Sequence, residues 1–543
     1  MAEAERFDVV VVGAGSAGCA VAARLSEDPG TRVLLLEAGP EDRNPWIHLP
    51  IGYYRTIFNE STARTYRTEP EEAVAGRSIL WPRGRVLGGC SSINGLAWVR
   101  GQAEDYDHWR QRGCEGWSFA DVLPVFKRLE AYAEGDPEWR GREGPLSVSG
   151  PRHRMELLDA FVAAANQAGI PTNPDYNGPR QDGVGYFQLS IRNGFRCSAA
   201  VAYLRPARRR PNLVIRTEAL ACRLLFEGRR VVGLVYRRGG QEHRVLASEV
   251  VLCAGAIASP QLLMLSGIGP AEHLAAHGIA VRHHLPGVGR NLQDHYQCRI
   301  VYRCTRPITL NEVSHSLWRK AMAGLEWAVR RTGPLTVGAG VVALFWRTRD
   351  ELATPDIEFH VIPFSADRPG EPLHRFPGFT VSTCQLRPES RGRLELASAD
   401  PADAPRIFAN YLATETDRRT MVDGLLLIRR IVGQPAMRPY VEAEHLPGPD
   451  CRTREELLAY VREKGTTIFH PTSTCAMGPA SDPMAVVDPR LRVHGIEGLR
   501  VADASIMPTV VSGNTNAACI MIGERCADFL RAERGPRASA RAA

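Results

Sequence analysis

The chain opens with two apolar runs that enclose a segment of helical periodicity. Residues 7–12, FDVVVV, are apolar and β-branched, as expected of a strand buried on both faces. Small and apolar residues follow at helical spacing in 19–27, CAVAARLSE, and the second apolar run is 32–36, RVLLL. This order predicts a strand–helix–strand unit whose two strands run parallel.

Strand and helix patterns recur in three later parts of the chain. Residues 211–255 contain consecutive strand patterns, and the last of them, EVVLCAGA, resembles the opening strand and also ends in glycine. Residues 300–460 alternate strands with helices such as 417–432, and residues 495–535 return to a strand followed by a helix. We therefore predict an α/β protein with a Rossmann-like domain assembled from discontinuous segments and a second domain with an antiparallel sheet and helices.

The turn between the first strand and the first helix carries the motif GAGSAG. Gly13 lets the chain turn sharply, Gly15 lets the backbone approach a pyrophosphate, and Gly18 lets the helix pack closely on the sheet. The helix N-terminus offers N–H groups to phosphates, and Glu37 ends the second strand, where an acid can accept from ribose hydroxyls. The pattern favours dinucleotide binding over a plain turn without a ligand, and it suits either NAD or FAD.

Composition narrows the class of protein without identifying it. The chain has 543 residues, is 44% apolar and 23% charged, and carries a net charge of +7. Its length predicts two joined domains, and no apolar stretch is long enough to span a bilayer. The first predicted strand begins at residue 7, which leaves no room for a signal peptide, so we expect a cytoplasmic location.

Cysteine and arginine usage argues against a metal site and a nucleic-acid partner. The thirteen cysteines are scattered without paired spacing, so we expect reduced thiols and no metal site. Two basic runs, 205–211 and 330–333, lack interleaved aromatic residues and are interpreted as solvated loops rather than a nucleic-acid surface. The Ala/Arg-rich tail, 536–543, is expected to be flexible.

A second complete glycine motif is absent from the sequence. Enzymes that reduce a bound flavin with NAD(P)H usually carry one, whereas GIGPAE at 267–272 and GVGRNL at 287–292 lack the third glycine. If the first motif binds FAD, the flavin is therefore expected to be reduced by an organic substrate.

Five segments resemble, in the family's order, the glucose–methanol–choline (GMC) flavoproteins. The segments are 84–95, GRVLGGCSSING, with Cys90 where Gly, Ser or Thr is usual; 255–269, GAIASPQLLMLSGIG; 286–295, PGVGRNLQDH; 469–478, FHPTSTCAMG; and 499–524. The resemblance extends from residue 6 to residue 530. Within the family, the sequence looks most like choline dehydrogenase-like and FAD-dependent alcohol dehydrogenases.

The resemblance implies FAD as the cofactor and oxidation of an alcohol at the flavin. Some relatives tether the flavin through a histidine at the position of Ile93, so we expect a noncovalent flavin. His470 matches the family's active-site base, Asn514 matches the partner that orients the substrate oxygen, and Ile468 is expected to line the pocket. The positions that match cofactor contacts are Gly13, Gly15, Gly18, Glu37, Gly88, Gly89, Ser92, Asn94, Ala221, Asp503, Ala504, Asn516 and Ala517.

Two other residues, Asn516 and His295, compete with these assignments. Asn516 lies two residues from Asn514, and the match of the preceding serine favours Asn514. His295 is the rival base, and we interpret it as a structural histidine that ends a turn near the domain junction. The helix that starts around 516–517 is expected to direct its N-terminus at the flavin, where its dipole would stabilise the negative charge of the reduced ring.

The resemblance leaves the substrate and the electron acceptor open. The main hypothesis is oxidation of a primary alcohol to an aldehyde, with a small or amino-bearing substrate that is choline-like or an amino-sugar hydroxymethyl group. Side chains that could hold a cation are Trp346, Phe359, Phe364 and Glu358, although each is more typical of core or loop. The acceptor is oxygen, a quinone or a carrier protein, and the oligomeric state stays open.

Three other classes of function remain as alternatives. One is an oxidase that releases peroxide while oxidising an aryl or aliphatic alcohol, and another is a flavin lyase or photoenzyme on the same fold. The third is a noncatalytic flavin-binding scaffold. Relatives with lyase or photoenzyme activity lose the base pair, whereas His470 and Asn514 are both present here.

The predicted domain boundaries follow from the same motifs. Residues 1–150, 195–300 and 465–535 are expected to form the FAD-binding domain, including a loop-rich lid at about 40–80. Residues 151–194 and 301–464 are expected to form the substrate-binding domain.

Overall fold

A computed structural model describes residues 5–368 and 370–534, so the predicted flexible tail lies outside the described residues. A seven-stranded mixed sheet forms the first layer. Its strands are Glu5–Val12, Val33–Leu36, Leu213–Arg216, Leu220–Glu227, Arg230–Arg238, Gln241–Leu252 and Leu499–Val501. The opening strand is central and runs parallel to Val33–Leu36 on one side and Gln241–Leu252 on the other. The α/β prediction is confirmed, including assembly from separated segments.

The strand Gln241–Leu252 joins two kinds of pairing in the mixed sheet. Its first half pairs antiparallel with Arg230–Arg238, and its last residues pair parallel with Leu499–Val501. Val250 lies opposite Val10 of the opening strand, so the segment EVVLCAGA rejoins the first sheet as predicted. The carboxyl ends of three parallel strands from distant parts of the chain therefore meet at one edge, where ligands bind in open α/β sheets.

Two helices pack closely on one another beside this edge. Ser16–Leu25 follows the glycine motif, and Asn516–Arg534 lies against it so closely that a Cβ on Gly523 would approach the Ala17 carbonyl oxygen to 2.4 Å. The buried Glu524 carboxylate accepts from Arg24 at 2.9 Å. These contacts fix the N-terminus of Asn516–Arg534 beside the glycine motif.

The second large sheet has seven strands and is antiparallel throughout. Its strands are Gly183–Tyr186, Tyr296–Cys304, Val342–Trp346, Ile357–Ile362, Gly378–Gln385, Val441–Leu446 and Thr466–Thr467. Arg299, Ser382 and His360 lie directly opposite one another on three adjacent strands, so they share one face. That face forms a floor beneath the site described below.

The remaining elements are short strand pairs and helices. The strand pairs are Ala63–Arg67 with Leu80–Gly84, Glu130–Ala131 with Leu146–Ser147, Ile191–Arg192 with Phe195–Arg196, Ile268–Gly269 with His283–His284, and Arg393–Glu395 with Arg406–Phe408. The other α-helices are Pro45–His48, Tyr53–Thr56, Ala103–Gln111, Phe119–Leu129, Glu156–Gln167, Arg205–Ala207, Gly255–Leu265, Ala271–Ala276, Leu310–His315, Leu317–Arg330, Glu415–Val432 and Arg454–Lys464. None of the helices in the described part of the chain combines the length and apolar character needed to cross a bilayer.

Within the described residues, all thirteen cysteines are free thiols, and each is buried or half-buried. The expectation of reduced thiols is consistent with this arrangement. The domain boundaries given above stay a prediction.

Candidate active site

A cavity of about 900 Å³ lies where the lid, the glycine-rich loop after residue 84 and the antiparallel sheet meet. The predicted site residues that line this cavity are Asn94, Ile468, His470, Ala504, Asn514 and Asn516. The structure thus brings together residues from four separated parts of the sequence.

A chain of hydrogen bonds fixes which nitrogen of His470 carries a proton. Nε2 of His295 lies 3.0 Å from the Leu386 carbonyl oxygen, which only accepts, so this nitrogen must be the donor. Burial lowers the pKa of His295 to about 4, and the neutral ring therefore presents a lone pair at Nδ1. Nδ1 of His470 lies 3.0 Å from His295 Nδ1 and must donate to that lone pair. In the neutral His470 ring, Nε2 is consequently the free base.

The other edge of the His470 ring meets Asn514. The Asn514 side-chain Nδ2 lies 3.2 Å from His470 Nε2 and can donate to its lone pair. The Asn514 Oδ1 atom is buried without a hydrogen-bond partner within the described residues. Both groups line the cavity, and an unpaired buried polar atom there points to a ligand that supplies the missing partner. The pair can hold an alcohol oxygen next to a base.

The surroundings of His470 keep it uncharged. Burial, together with His295, His360 and Arg83, lowers the pKa of His470 well below its usual value. A neutral imidazole with a lone pair at Nε2 can accept a proton from a substrate hydroxyl.

Asp294 holds the backbone that carries His470. Its carboxylate accepts from the His470 backbone N–H at 2.7 Å, from Thr467 Oγ1 at 2.5 Å and from the Tyr411 hydroxyl. Burial raises the pKa of Asp294 to about 6. Phe469 adopts a left-handed backbone with φ of 70°, so the turn presenting His470 is tightly determined by these contacts.

The glycine motif forms a backbone cradle suited to a pyrophosphate. Gly13 has φ of 100°, and an added Cβ would lie 2.5 Å from the Cys253 carbonyl oxygen. A Cβ on Gly18 would lie 1.9 Å from the Gly13 carbonyl oxygen, so the helix packs against the turn as predicted from the motif. Gly15 precedes the helix Ser16–Leu25, which has no side-chain cap and no acidic residue in its first turn. Its free N–H groups therefore fit a phosphate.

Glu37 closes the cradle on the side of the second strand. The buried carboxylate accepts from the Ala14 backbone N–H at 2.9 Å and from the Gly39 backbone N–H at 2.8 Å. Burial raises the pKa of Glu37 to about 7. The acid is thus placed next to the glycine motif, where the sequence pattern expects the adenosine ribose.

The segment around Gly88 bridges the cradle and the cavity. Gly88 and Gly89 both have positive φ, and a Cβ on Gly89 would lie 2.7 Å from the Gly15 Cα atom. Ser92 is buried and donates from Oγ to the Leu87 carbonyl oxygen, so its hydroxyl supports the loop. Asn94 lines the cavity and accepts from Arg196 at 2.7 Å through Oδ1.

The helix Asn516–Arg534 begins at the predicted position. Ser16 Oγ donates to Asn516 Oδ1 at 2.7 Å, so the N-terminal ends of two helices meet at the cavity. The first turn of Asn516–Arg534, which includes the buried Ala517, contains no acidic residue. The positive end of the helix dipole is therefore available to an anion bound beside it.

Asp503 is buried, and its carboxylate accepts from the Gly255 and Ser505 backbone N–H groups, each at 2.8 Å, and from Ser259 Oγ. This side chain braces the turn, while the neighbouring Ala504 lines the cavity. Ala221 is half-buried in the strand Leu220–Glu227, and it does not line the cavity.

Four residues that the sequence analysis missed or undervalued belong to the site. His295, treated as purely structural, hydrogen-bonds to His470, and Gln297, Arg299 and His360 line the cavity floor. The sequence signal for His295 was its place in the NLQDH segment. Arg299 and His360 had no sequence signal, because only the strand register brings them to the same face.

One trio of potential metal ligands exists among the described residues: Asp367, His374 and His445. Both ring nitrogens of His374 already have hydrogen-bond partners, in Ser365 Oγ and Asp367 Oδ1. The trio therefore carries no assignment, and the expectation of no metal site stays a prediction.

A Rossmann-type sheet with a pyrophosphate cradle, next to a cavity that holds a histidine–asparagine pair, has the parts of a dinucleotide-dependent oxidoreductase. Two family models, each described as GMC oxidoreductase, match residues 7–297 and 388–523, respectively. The chain is 46% identical over 537 residues to the mitochondrial choline dehydrogenase of Homo sapiens, covering 97% of this chain and 90% of that protein. It is 44% identical over 524 residues to the oxygen-dependent choline dehydrogenase of Brucella ovis, covering 96% of this chain and 95% of that protein.

Solved structures agree with this assignment. The chain superposes on pyridoxine 4-oxidase from Mesorbium loti with a TM-score of 0.87 at 33% identity, covering 96% of this chain and 98% of that one. It superposes on a formate oxidase with a TM-score of 0.90 at 27% identity, covering 98% and 99% of the two chains. The chain belongs to the GMC oxidoreductase family and is an FAD-dependent alcohol oxidoreductase.

The flavin is expected to leave the protein on denaturation. Ile93 is buried, lines the cavity and carries no nucleophilic atom for a bond to the isoalloxazine. Acid precipitation of the holoenzyme should therefore release all the yellow colour into the supernatant. Colour that stays with the washed pellet would show a covalent link through another residue, with Cys90 of the same loop as the first to substitute by serine.

Proposed function

We propose that this protein oxidises a primary alcohol to an aldehyde, with His470 as the general base and Asn514 as the group that orients the substrate oxygen. The observation that carries the proposal is the hydrogen-bond chain from Leu386 through His295, which leaves Nε2 of His470 unprotonated beside Asn514 in the cavity.

The chain's own residues handle the proton of the reaction. The Asn514 amide holds the substrate oxygen, and His470 Nε2 takes the hydroxyl proton as the carbon–hydrogen bond weakens. FAD, when bound, supplies the acceptor of the hydride that leaves the carbinol carbon. His295 Nδ1 accepts from His470 Nδ1 throughout, so the arriving proton is directed to Nε2.

The cavity is lined by aromatic side chains that can contact a quaternary ammonium group, namely Trp46, Tyr53, Tyr54, Phe58, Phe364 and Phe469. Of the four sequence candidates for a cation site, only Phe364 lines the cavity. Phe359 and Glu358 are fully buried in the strand Ile357–Ile362, and Trp346 is half-buried at the end of its strand. The curated relatives are choline dehydrogenases by name, and for this chain choline is one substrate to be tested among primary alcohols.

Anaerobic mixing of the holoenzyme with a panel of alcohols tests the proposal. We expect primary alcohols to bleach the flavin absorption band, and secondary alcohols of the same length to do so more slowly. Flavin that stays oxidised across neutral, cationic and anionic alcohols would overturn the proposal and favour a lyase or a scaffold. Readmission of air with a peroxide assay then separates an oxidase from a dehydrogenase that needs a quinone or a carrier. The cytoplasmic location also stays a prediction.

Substituting His295 should slow flavin reduction through the proton position on His470. In His295→Leu, His470 Nδ1 loses its acceptor and the tautomer with a proton on Nε2 becomes accessible, which removes the base. We expect a decrease of about 10- to 100-fold, below the ~10⁴-fold cost of a fixed wrong tautomer, because Asn514 still donates to Nε2.

The control for this substitution is His295→Asn, whose Oδ1 can replace the acceptor at Nδ1. A near wild-type rate of flavin reduction in His295→Asn, with unchanged FAD content in both variants, would show that the hydrogen bond to His470 matters rather than the packing. Equal losses in Leu and Asn, accompanied by lower FAD content, would show a purely structural role.

A further inference from the structure

Arg299 stands on the cavity floor without a partner. It belongs to the strand Tyr296–Cys304, lines the cavity, and lies opposite Ser382, which lies opposite His360. Within the described residues, its guanidinium makes neither a hydrogen bond nor an ion pair, and its Nε atom is buried and unpartnered. The Ser382 Oγ atom is buried and unpartnered as well. Unsatisfied donors side by side on a cavity wall call for an acceptor from a ligand.

The charged groups around the cavity do not neutralise Arg299. The cations that line it are Arg55, Arg83, Arg299, Lys320 and Arg368, and the carboxylate among the described lining residues is Glu371, which is exposed. Arg83 is engaged with the Phe469 carbonyl oxygen, and Arg55 stacks on Trp46. Arg299 is therefore a cation at the floor with its donors available.

Glu358, on the next row of the same sheet face, is not a counter-ion for Arg299. It is fully buried, and burial raises its pKa to about 8, so the group is mostly protonated at neutral pH. His360 Nε2 lies 3.2 Å from one of its carboxylate oxygens, and burial lowers the pKa of His360 to about 3, so that ring is uncharged at neutral pH.

We propose that Arg299, with Ser382 beside it, binds the carboxylate of a hydroxy-acid substrate whose alcohol carbon reaches His470. A guanidinium presents a fork of N–H donors that matches a planar carboxylate, and the hydroxyl of Ser382 can donate a further hydrogen bond. The inference rests on the proposed alcohol oxidation and specifies its substrate class.

A series of ω-hydroxycarboxylates tests this inference, each paired with the α,ω-diol and the ω-amino alcohol of the same length. The hydroxy acid of optimal length should reduce the flavin with the lowest KM of its set. In Arg299→Met, its KM should rise about 10- to 100-fold, while the KM of the diol changes by less than about threefold. Arg303→Met is the matched control, because Arg303 belongs to the same strand, stacks on Phe376 and does not line the cavity.

A binding measurement separates this inference from the proposed function. Saturated monocarboxylates without a hydroxyl should perturb the flavin spectrum of the oxidised wild-type holoenzyme and of Arg303→Met, but not of Arg299→Met. Spectral binding without reduction by any alcohol would leave the anion site standing and overturn the alcohol oxidation. Reduction by diols at least as efficient as by hydroxy acids, with no effect of Arg299→Met, would overturn the anion site and leave the oxidation standing.

A second, independent feature is an apolar helix face that points to solvent. The helix Leu317–Arg330 exposes five large apolar side chains: Leu317 is 84% exposed, Trp318 72%, Met322 44%, Leu325 55% and Val329 73%. An amphipathic helix of a globular protein ordinarily packs its row of apolar side chains against the protein core. Here Ala323 is the buried apolar residue of the helix, and it lines the cavity together with Lys320.

Cations flank this apolar face. Arg319 and Arg330 are exposed on the same helix and Arg331 follows it, whereas the acidic Glu326 is engaged by the Thr332 hydroxyl at 3.0 Å. A two-fold contact between two copies of this face would bring like charges together, but an anionic lipid surface complements them. We infer that this helix lies in the interface of a bilayer containing anionic lipid, with the cavity beside it.

Sedimentation of the holoenzyme with vesicles tests the membrane contact. We expect binding to vesicles of phosphatidylcholine mixed with phosphatidylglycerol, weaker binding to phosphatidylcholine alone, and release at high salt. Leu325→Glu should abolish binding, and Val281→Glu is the matched control because Val281 is a 44% exposed apolar residue outside the helix. Holoenzyme that stays in the supernatant with both vesicles, or a dimer that Leu325→Glu dissociates, would overturn the inference.

Discussion

Replacing His470 by alanine should slow flavin reduction by an alcohol by about 10²- to 10⁴-fold while FAD stays bound. His470 is the cavity group whose Nε2 is free of a proton and directed at Asn514. Without it, the hydroxyl proton has no acceptor as the hydride leaves, and the Asn514 amide loses the partner that orients it. Anaerobic stopped-flow mixing at saturating alcohol measures the rate, and the absorption ratio of flavin to protein measures the FAD content.

His360→Ala is the informative control for this experiment. His360 lines the same cavity, and burial lowers its pKa to about 3, yet no hydrogen bond joins it to Asn514 in the described residues. We expect a smaller loss than in His470→Ala. A near-normal rate in His470→Ala, or a larger loss in His360→Ala, would show that the base has been assigned to the wrong histidine.

The cofactor side of the site could be predicted from the sequence because its chemistry is local. Gly13, Gly15 and Gly18 act within one strand–turn–helix unit. Their spacing alone specifies the tight turn, the close approach of the backbone to a pyrophosphate, and the packing of the helix on the sheet. The start of the helix at Asn516 was also predictable, since a polar loop precedes an apolar periodic segment. Short-range patterns of this kind require no knowledge of the tertiary structure.

The contact between His295 and His470 could not be predicted, because a long-range pairing creates it. The two-residue strand Thr466–Thr467 pairs antiparallel with the start of Tyr296–Cys304, and Tyr296 lies opposite Thr467. That register places the Ile468 backbone N–H 3.0 Å from the His295 carbonyl oxygen, and the turn through Phe469 then brings the His470 ring within hydrogen-bond distance of His295. A strand of two residues has no recognisable periodicity, so the sequence supports only a structural role for His295.

Three of the four cation candidates do not reach the cavity, and Phe359 shows a different physical reason why the sequence could not decide this. All six residues of the strand Ile357–Ile362 are buried, so apolar and polar positions do not distinguish its two faces. Pairing with Gly378–Gln385 places His360 opposite Ser382 on the cavity face and sends Phe359 to the other side. In a fully buried strand, only the register determines which side chains reach a ligand.

The second large effect is expected from a single methyl group at Gly89, where the two glycine segments touch. Gly89 is buried with φ of 52°, and a Cβ there would lie 2.7 Å from the Gly15 Cα atom, in backbone that cannot rotate away. In Gly89→Ala, the loop must separate from the pyrophosphate cradle, so we expect purified protein that is nearly free of FAD.

Gly76→Ala isolates the cost of the backbone conformation from this steric effect. Gly76 has φ of 68°, is exposed, and an added Cβ would meet no atom within 4 Å. In both variants, an alanine in left-handed backbone lowers the free energy of unfolding by about 1–2 kcal/mol, but only Gly89→Ala also displaces the cradle. Full FAD content in Gly76→Ala with loss in Gly89→Ala, at matched circular dichroism, is the expected result. Normal FAD content in both would show that the contact between the two glycine segments is not required to hold the cofactor.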